Sequence, residues 1–227
     1  MLFRSSVRLA PRGTISDVNG VELARSVAAI NIIVDQTMIA DPATTAQVTS
    51  PVLGIGATDL QSMLTGKLRY KIIVKQAKPA MWRALNDRLS AYNSGVMKER
   101  GGISKRLVGF FSERSYVRDY PTGSLSSSLV GIINDAGVGA AGLESSMEST
   151  LAGKNGRYDY ANGAGTIIPG SQQFITEAQA GRGIQLTIDR DIQWVAQNAI
   201  NDAVDKSHAA SGTVVVMDPK TGAILAQ

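Results

Sequence analysis

Residues 118–153, RDYPTGSLSSSLVGIINDAGVGAAGLESSMESTLAG, decide how this chain is read. Tyr120-Pro121-Thr122-Gly123 spells a turn, because proline fixes φ near about −65° and glycine takes positive φ without a Cβ clash. A short apolar piece then ends at Ile133, and a loop covers residues 134–139. Leu143, Met147 and Leu151 recur four apart, which predicts one apolar helical face with Gly153 closing the helix in the left-handed conformation.

The same stretch holds a G-x-G-x-x-G string, Gly137-Val138-Gly139-Ala140-Ala141-Gly142, between an apolar run and a helix. A dinucleotide-binding loop has this spelling, provided that its first glycine directly follows a buried parallel strand and the next helix meets a pyrophosphate. Here Asn134-Asp135-Ala136 intervenes after Ile133. Asp159, the acid that would have to hold a ribose, sits in a polar segment rather than at a strand end. The competing reading is a glycine loop ahead of a packed helix.

Upstream, residues 12–24 begin with a strand-like piece and turn at Asn19-Gly20, a dipeptide suited to hairpins. A strand is predicted over residues 26–36, a connection over the Pro-, Thr- and Gly-rich residues 41–56, and a short helix over 58–66. Residues 70–75 read as a strand. Pro79 can start a helix whose Trp82, Leu85, Leu89 and Tyr92 form a core-packing stripe, with Gly95 as its stop. Residues 98–102 read as a polar turn, and a strand over 107–116 leads into Arg118.

Downstream of Gly153 the chain reads as loop, punctuated at residues 161–165 and at Pro169-Gly170. A strand is predicted over 184–188. Asp189 can cap a helix carrying Ile192, Val195, Ala196, Ala199, Ile200, Ala203 and Val204. Two apolar arms, 213–217 and 223–226, flank Asp218-Pro219-Lys220-Thr221-Gly222 and predict a hairpin. The sequence stops as the second arm begins, so these strands are expected to lack sheet neighbours and to pair with another molecule or to be poorly ordered.

Composition narrows the function classes. With 227 residues, 44% of them hydrophobic, the chain can build a proper core, in one large domain or two smaller ones. Its net charge of +4 is dispersed, and no window interleaves basic residues with stacking aromatics, so no nucleic-acid partner is expected. There is no cysteine, which removes disulfides and thiolate chemistry. No apolar run approaches ~18 residues, and the start of the sequence is too soon charged for a signal peptide. Either the protein is cytosolic or a targeting segment precedes residue 1.

Catalytic patterns are scarce. The single histidine, His208, lies in a polar tail, which leaves neither a metal set nor a Ser-His-Asp base; no metal or cofactor is expected. No lysine has a serine three positions before it, so the S-x-x-K nucleophile motif is missing. Lys220-Thr221-Gly222 spells K-T-G, but inside a D-P-K-T-G turn it reads as a hairpin connection.

Four stretches in register carry a family resemblance. Residues 12–24, RGTISDVNGVELA, resemble the R-G-x-I-x-D-R-N-G-x-x-L-A opening of the non-catalytic module of class B penicillin-binding proteins. Arg118-Asp119-Tyr120-Pro121 resembles its R-x-Y-P motif, and Gly142-Leu143-Glu144 with Leu151-Ala152-Gly153 resembles G-x-E followed by L-x-G. Residues 186–189 with Gln193, then residues 215–226, resemble the entry into the transpeptidase domain. Val18 departs from the pattern, which usually has arginine there. Residues 114–121 and Ile167-Ile168-Pro169-Gly170 look most similar to division-type members of high-GC Gram-positive bacteria.

The resemblance implies an α+β fold: an elongated pedestal of antiparallel strands over residues 1–182, with a small helical head at about 41–105, then an incomplete start of the transpeptidase domain over 183–227. It implies a catalytically silent scaffold of a D,D-transpeptidase in cell-wall synthesis and division, anchored by a single N-terminal span to the extracytoplasmic face of the membrane. The family's S-x-x-K, S-x-N and true K-T-G would lie beyond residue 227. Partners would be a cell-wall glycosyltransferase, other division or wall-synthesis membrane proteins, or a second copy. The structural motif residues carried over are Arg12, Gly13, Asp17, Gly20, Arg118, Tyr120, Pro121, Gly142, Glu144 and Gly153. Of these, Arg12, Asp17, Arg118 and Glu144 are expected to form a charge network between distant segments, the alternative being separate surface pairs.

Overall fold

The computed structural model describes residues 2–98, 105–163, 166–167 and 173–227, so most of the turn expected at 98–102 and the Ile168-Pro169-Gly170 stretch lie outside the described residues. The fold is mixed α+β with several small sheets. The chain divides into two compact units, Met1–Val27 with Arg118–Gln227, and Ala28–Val117.

In the first unit, β1 (Leu2–Arg8) pairs antiparallel with β6 (Gly156–Gly163), from Leu2↔Asn162 to Arg8↔Gly156. β7 (Thr166–Ile167) and β8 (Gln173–Thr176) also pair with β6. None of these strands except a fragment of β7 sits in an apolar run. Residues 154–163 read as loop because their backbone pairing carries no period-two apolar signal.

β2 (Ile15–Ser16) and the start of β3 (Glu22–Val34) form the expected hairpin, with Gly20 at φ +83° and its N–H donating to the Asp17 carbonyl at 3.1 Å. On its other edge β2 takes β9 (Ile184–Gln185) in parallel. Ile15, Leu23, Ala24, Val130 and Leu151 make the core of this unit, with Tyr120, Leu143, Ile184 and Leu186 packed against it.

The opening stretch folds partly as read. The Gly123 N–H donates to the Tyr120 carbonyl at 3.0 Å, closing the turn, and a single-turn helix α4 (Ser127–Val130) follows. The four-residue spacing beyond it does not make one helix. α5 (Gly142–Ser146) and α6 (Glu148–Leu151) are separated by Met147, whose φ of −106° and ψ of 21° leave the helical region. Met147 is consequently exposed, while Leu151 is buried. Gly153 does not adopt the left-handed conformation; a Cβ there would lie 2.6 Å from Ala10 Cβ and 2.7 Å from the Gln179 carbonyl oxygen.

Asp189 caps α7 (Arg190–Ser207), accepting from the N–H groups of Asp191 and Ile192. β10 (Val216–Met217) and β11 (Ile224–Ala226) form the predicted hairpin. They have no third strand among the described residues, yet the second arm is not left loose. Gln193 exchanges two bonds with the backbone of Gln227, at 2.7 and 2.8 Å, and the Asp189 N–H donates to the Leu225 carbonyl at 2.9 Å. Ala226 is fully buried. A buried glutamine on α7 therefore replaces the missing sheet neighbour.

In the second unit, the latter part of β3 pairs antiparallel with β4 (Lys71–Ala77), and β5 (Phe110–Asp119), most of which belongs to this unit, also pairs with β3. α2 (Ala57–Leu64) and α3 (Pro79–Val96) form where expected, except that α3 runs through Gly95. Trp82, Leu85, Leu89 and Tyr92 of α3 pack into the core with Ile32, Val34, Leu53, Leu60, Leu64 and Ile73.

Residues 42–53, expected as a connection, are α1 (Pro42–Leu53). Asp41 caps it and Pro42 occupies its first turn, where no N–H is needed. The threonines obscured it: Thr45 and Thr49 are buried with their hydroxyls donating to the carbonyls four residues earlier, at 2.6 and 2.7 Å.

Candidate functional site

Glu144 is the centre of a buried charge cluster in the first unit. Its side chain is fully buried, and each carboxylate oxygen receives a guanidinium: Arg118 Nε donates to Oε1 at 2.7 Å, and Arg12 Nε to Oε2 at 2.5 Å. The Arg118 and Arg12 side chains are themselves almost wholly buried. Arg12 also donates through Nη2 to the Glu144 backbone carbonyl at 2.6 Å and meets Glu148 Oε2 at 2.6 Å. Glu148 in turn accepts from the Gly139 N–H at 2.9 Å.

Two cations and two carboxylates thus close a neutral set drawn from residues 12, 118, 144 and 148. Ser26 extends it, with its hydroxyl donating to the Arg12 carbonyl at 3.0 Å and accepting from the Arg12 N–H at 3.1 Å. Arg118 Nη2 is buried and finds no hydrogen-bond partner among the described residues.

Local structure explains the convergence. Arg12 precedes β2, Arg118 lies in β5 ahead of the Pro121 turn, and Glu144 sits in the first turn of α5 with Glu148 one helical turn later. That i, i+4 spacing puts both carboxylates on one side despite the break at Met147. The loop ahead of α5 must come very close: a Cβ at Gly139 would lie 1.9 Å from the Glu144 carbonyl oxygen, and one at Gly142 would lie 2.6 Å from the Leu129 carbonyl oxygen.

The electrostatics follow from these contacts. Burial alone would lower the Arg12 pKa, but its bonds to Glu148 and Glu144 raise it above the ordinary value, so it stays cationic. Glu148 is held below the usual carboxylate range, chiefly by the Arg12 guanidinium and further by the Gly139 N–H. Burial, then the neighbouring Glu144 charge, pushes the Tyr120 phenol up.

The remaining motif residues have separate tasks. Asp17 is fully buried but belongs to no ion pair among the described residues, which corrects its expected place in the network. Its Oδ1 accepts from the Asn19 and Val21 N–H groups at 2.8 and 2.7 Å, and Oδ2 from the Arg190 N–H at 3.3 Å. It is short enough to satisfy the turn's own amides, and so it ties the β2–β3 turn to the start of α7. Gly13 donates to the Leu151 carbonyl at 2.8 Å and has no room for a Cβ beside the Arg182 carbonyl. Gly20 and Pro121 shape their turns. Glu148 and Ser26 were missed by the sequence reading, although the four-residue step from Glu144 was a usable signal.

The dinucleotide alternative fails on geometry. Ile133 makes an isolated antiparallel bridge to Gly139 instead of ending a parallel strand, and α5 has five residues. Gly139 and Gly142 of the string serve close backbone approach, while Gly137 turns the loop with a φ of +79° and has open space where a Cβ would lie. Lys220-Thr221-Gly222 is likewise a turn, with Asp218 accepting from the Lys220 N–H and the Thr221 hydroxyl at 2.9 and 2.7 Å. His208 is the exposed C-cap of α7. Among the described residues no group of three metal-ligating side chains occurs, and no helix is long and apolar enough to cross a membrane.

Comparison with known proteins agrees with this architecture. The family model described as "Penicillin-binding Protein dimerisation domain" matches residues 7–186. Penicillin-binding protein PbpB of Mycolicibacterium smegmatis is 45% identical over 125 residues, covering 55% of this chain and 19% of that protein. The protein named "Probable peptidoglycan D,D-transpeptidase PenA" of Neisseria gonorrhoeae is 31% identical over 227 residues, covering 99% of this chain and 37% of its own length. The chain thus spans about a fifth to two fifths of the length of these relatives. Among solved structures, Penicillin Binding Protein 2X from Streptococcus thermophilus superposes with a TM-score of 0.67 at 23% identity, over 98% of this chain and 35% of that one. A Helicobacter pylori penicillin-binding protein solved in complex with MreC has a TM-score of 0.61 at 17% identity, over 99% of this chain and 42% of that one. Both of the latter share the fold.

Proposed function

The chain belongs to the penicillin-binding protein dimerisation-domain family, and from that premise we propose that it is the non-catalytic scaffold of a membrane-anchored peptidoglycan D,D-transpeptidase acting in cell division. The observation that carries this reading is the buried Glu144 cluster, which joins three of the family-like motifs at one point inside the matched span. A scaffold needs segments held in one arrangement, and bidentate use of one carboxylate by two guanidinium groups does that with directional bonds. We assign the structural roles to Arg12, Gly13, Asp17, Gly20, Arg118, Tyr120, Pro121, Gly142, Glu144 and Gly153.

In this reading residues 1–182 form the dimerisation module and 183–227 the first part of the transpeptidase domain. The end of the family match at residue 186 supports that division. The mycobacterial relative supports the division-type assignment, and the neighbour solved with MreC supports wall-synthesis proteins as partners. A cell-wall glycosyltransferase is the further partner that the family resemblance implies. The protein works on the extracytoplasmic face, held by an N-terminal anchor.

The test has two arms. The 227-residue chain incubated with fluorescent penicillin gains no covalent label, whereas it co-purifies with the division glycosyltransferase of the same cell. Labelling, or failure to retain the glycosyltransferase, contradicts the scaffold reading.

A further inference from the structure

The second unit carries a surface apart from the Glu144 cluster. Leu68 and Tyr70 are 58% and 55% exposed, and they alternate with the exposed cations Lys67 and Arg69. Both lie just ahead of β4, in the run Lys67-Leu68-Arg69-Tyr70-Lys71. Val108 and Phe111, beside Arg106 at the start of β5, are also exposed.

The two segments belong to one end of the β3 sheet. Gln36 receives the Leu68 N–H on its side-chain oxygen and gives its own N–H to the Leu68 carbonyl, both at 2.9 Å. Next to it, Asp35 donates its N–H to the Gly109 carbonyl at 2.9 Å. The Tyr70 hydroxyl spans the two segments, donating to Glu113 at 2.8 Å. Partial desolvation, then Glu113, pushes the Tyr70 phenol up to about 12, so it remains a neutral donor.

Buried Gln36 and half-buried Asn93 fix this end. The amide of Gln36 donates to the carbonyls of Met63 and Thr65 at 2.8 and 3.0 Å. Asn93 exchanges two bonds with the backbone of Leu107, at 2.9 and 2.7 Å. The exposed side chains are therefore presented by held backbone.

We propose that this end of the second unit, centred on Leu68, Tyr70, Lys67 and Arg69, is a docking surface for an anionic lipid bilayer. Lys67, Arg69, Lys71 and Arg106 complement phosphate headgroups, while a tyrosine and aliphatic side chains suit the headgroup–acyl boundary. Leu68 and Tyr70 each stand between two cations along the chain. A protein partner would instead require a contiguous desolvated core to its interface. A fluid headgroup layer accepts scattered apolar points beside charges. The surface is independent of the scaffold reading, and neither fails with the other.

Co-sedimentation of the 227-residue chain with vesicles tests it, comparing phosphatidylglycerol–phosphatidylcholine mixtures with pure phosphatidylcholine. At about 0.1 M salt, binding to the anionic vesicles exceeds that to neutral ones by roughly tenfold or more. Lys67→Glu with Arg69→Glu removes this excess, and Leu68→Ser with Tyr70→Ser weakens it several-fold. Lys78→Glu with Arg83→Glu, an equal charge change beyond the other end of β4 and on α3, leaves it in place. Circular dichroism confirms that each variant is folded. Equal binding to both vesicle types, equal loss in the two charge-reversal variants, or indifference to the Leu68 and Tyr70 changes overturns the proposal. So does capture of an acidic protein through this face without vesicle binding.

Discussion

Glu144 carries a large single-residue consequence, because its two oxygens neutralise two buried guanidinium groups. Removing one partner of such a set leaves an uncompensated buried charge, whereas an exposed pair contributes about 0–1 kcal/mol. Arg25, half exposed between Glu22 and Asp119, is the internal comparison. Arg25→Ala shifts the denaturation midpoint slightly; Arg118→Ala, measured the same way, shifts it severalfold more. Glu148 adds a pH dependence with a definite sign. Its folded pKa is depressed, chiefly by Arg12, so its stabilisation is present above the unfolded carboxylate value of about 4.3 and is lost as pH falls through the lower folded value. Urea midpoints followed from neutral pH into the acid range fall more steeply for the native chain than for Glu148→Gln in that window. Parallel curves would remove Glu148 from the account.

Among elements, the loop ahead of α5 is under the tightest steric control. Gly139→Ala forces its Cβ against the Glu144 backbone carbonyl, so α5 must move or the loop must open. The cost is about 1–3 kcal/mol, read as a lower thermal midpoint together with faster amide exchange at Gly139; an unchanged midpoint would show that the loop yields freely. The elements differ in how far the sequence discloses them. α3 was legible because its apolar periodicity agrees with Pro79 at its start, and α7 because Asp189 caps it, although Gln193 and Ala196 rather than the exposed Val195 form its buried face; the Pro121 turn was legible because proline and glycine enforce it locally. α1 was hidden by threonines whose hydroxyls are satisfied within the helix, and β6 by a polar composition without a period-two apolar signal. The break at Met147 defeated a correct-looking four-residue period. Within the site, Arg12, Arg118 and Glu144 were legible through a family pattern. Asp17 was misplaced because charge type alone does not say whether a carboxylate meets a guanidinium or a turn's amides.

At the scale of the whole molecule, the chain is a two-unit member of the penicillin-binding protein dimerisation family whose chemistry is structural. NAD titration followed by calorimetry yields no saturable heat, since no parallel strand feeds the glycine string and its Gly139 and Gly142 are held in close backbone packing; saturable binding would reopen the cofactor reading. The central claim is that the Glu144 cluster holds the first unit together. Chemical denaturation of Glu144→Gln against the native chain tests it most directly, with exchange of the Gly13 and Arg182 amides locating the loss. The account predicts a stability loss of about 3–5 kcal/mol with deprotection of both amides. A change within about 1 kcal/mol and unaltered exchange would reduce the cluster to ordinary surface pairs and contradict it.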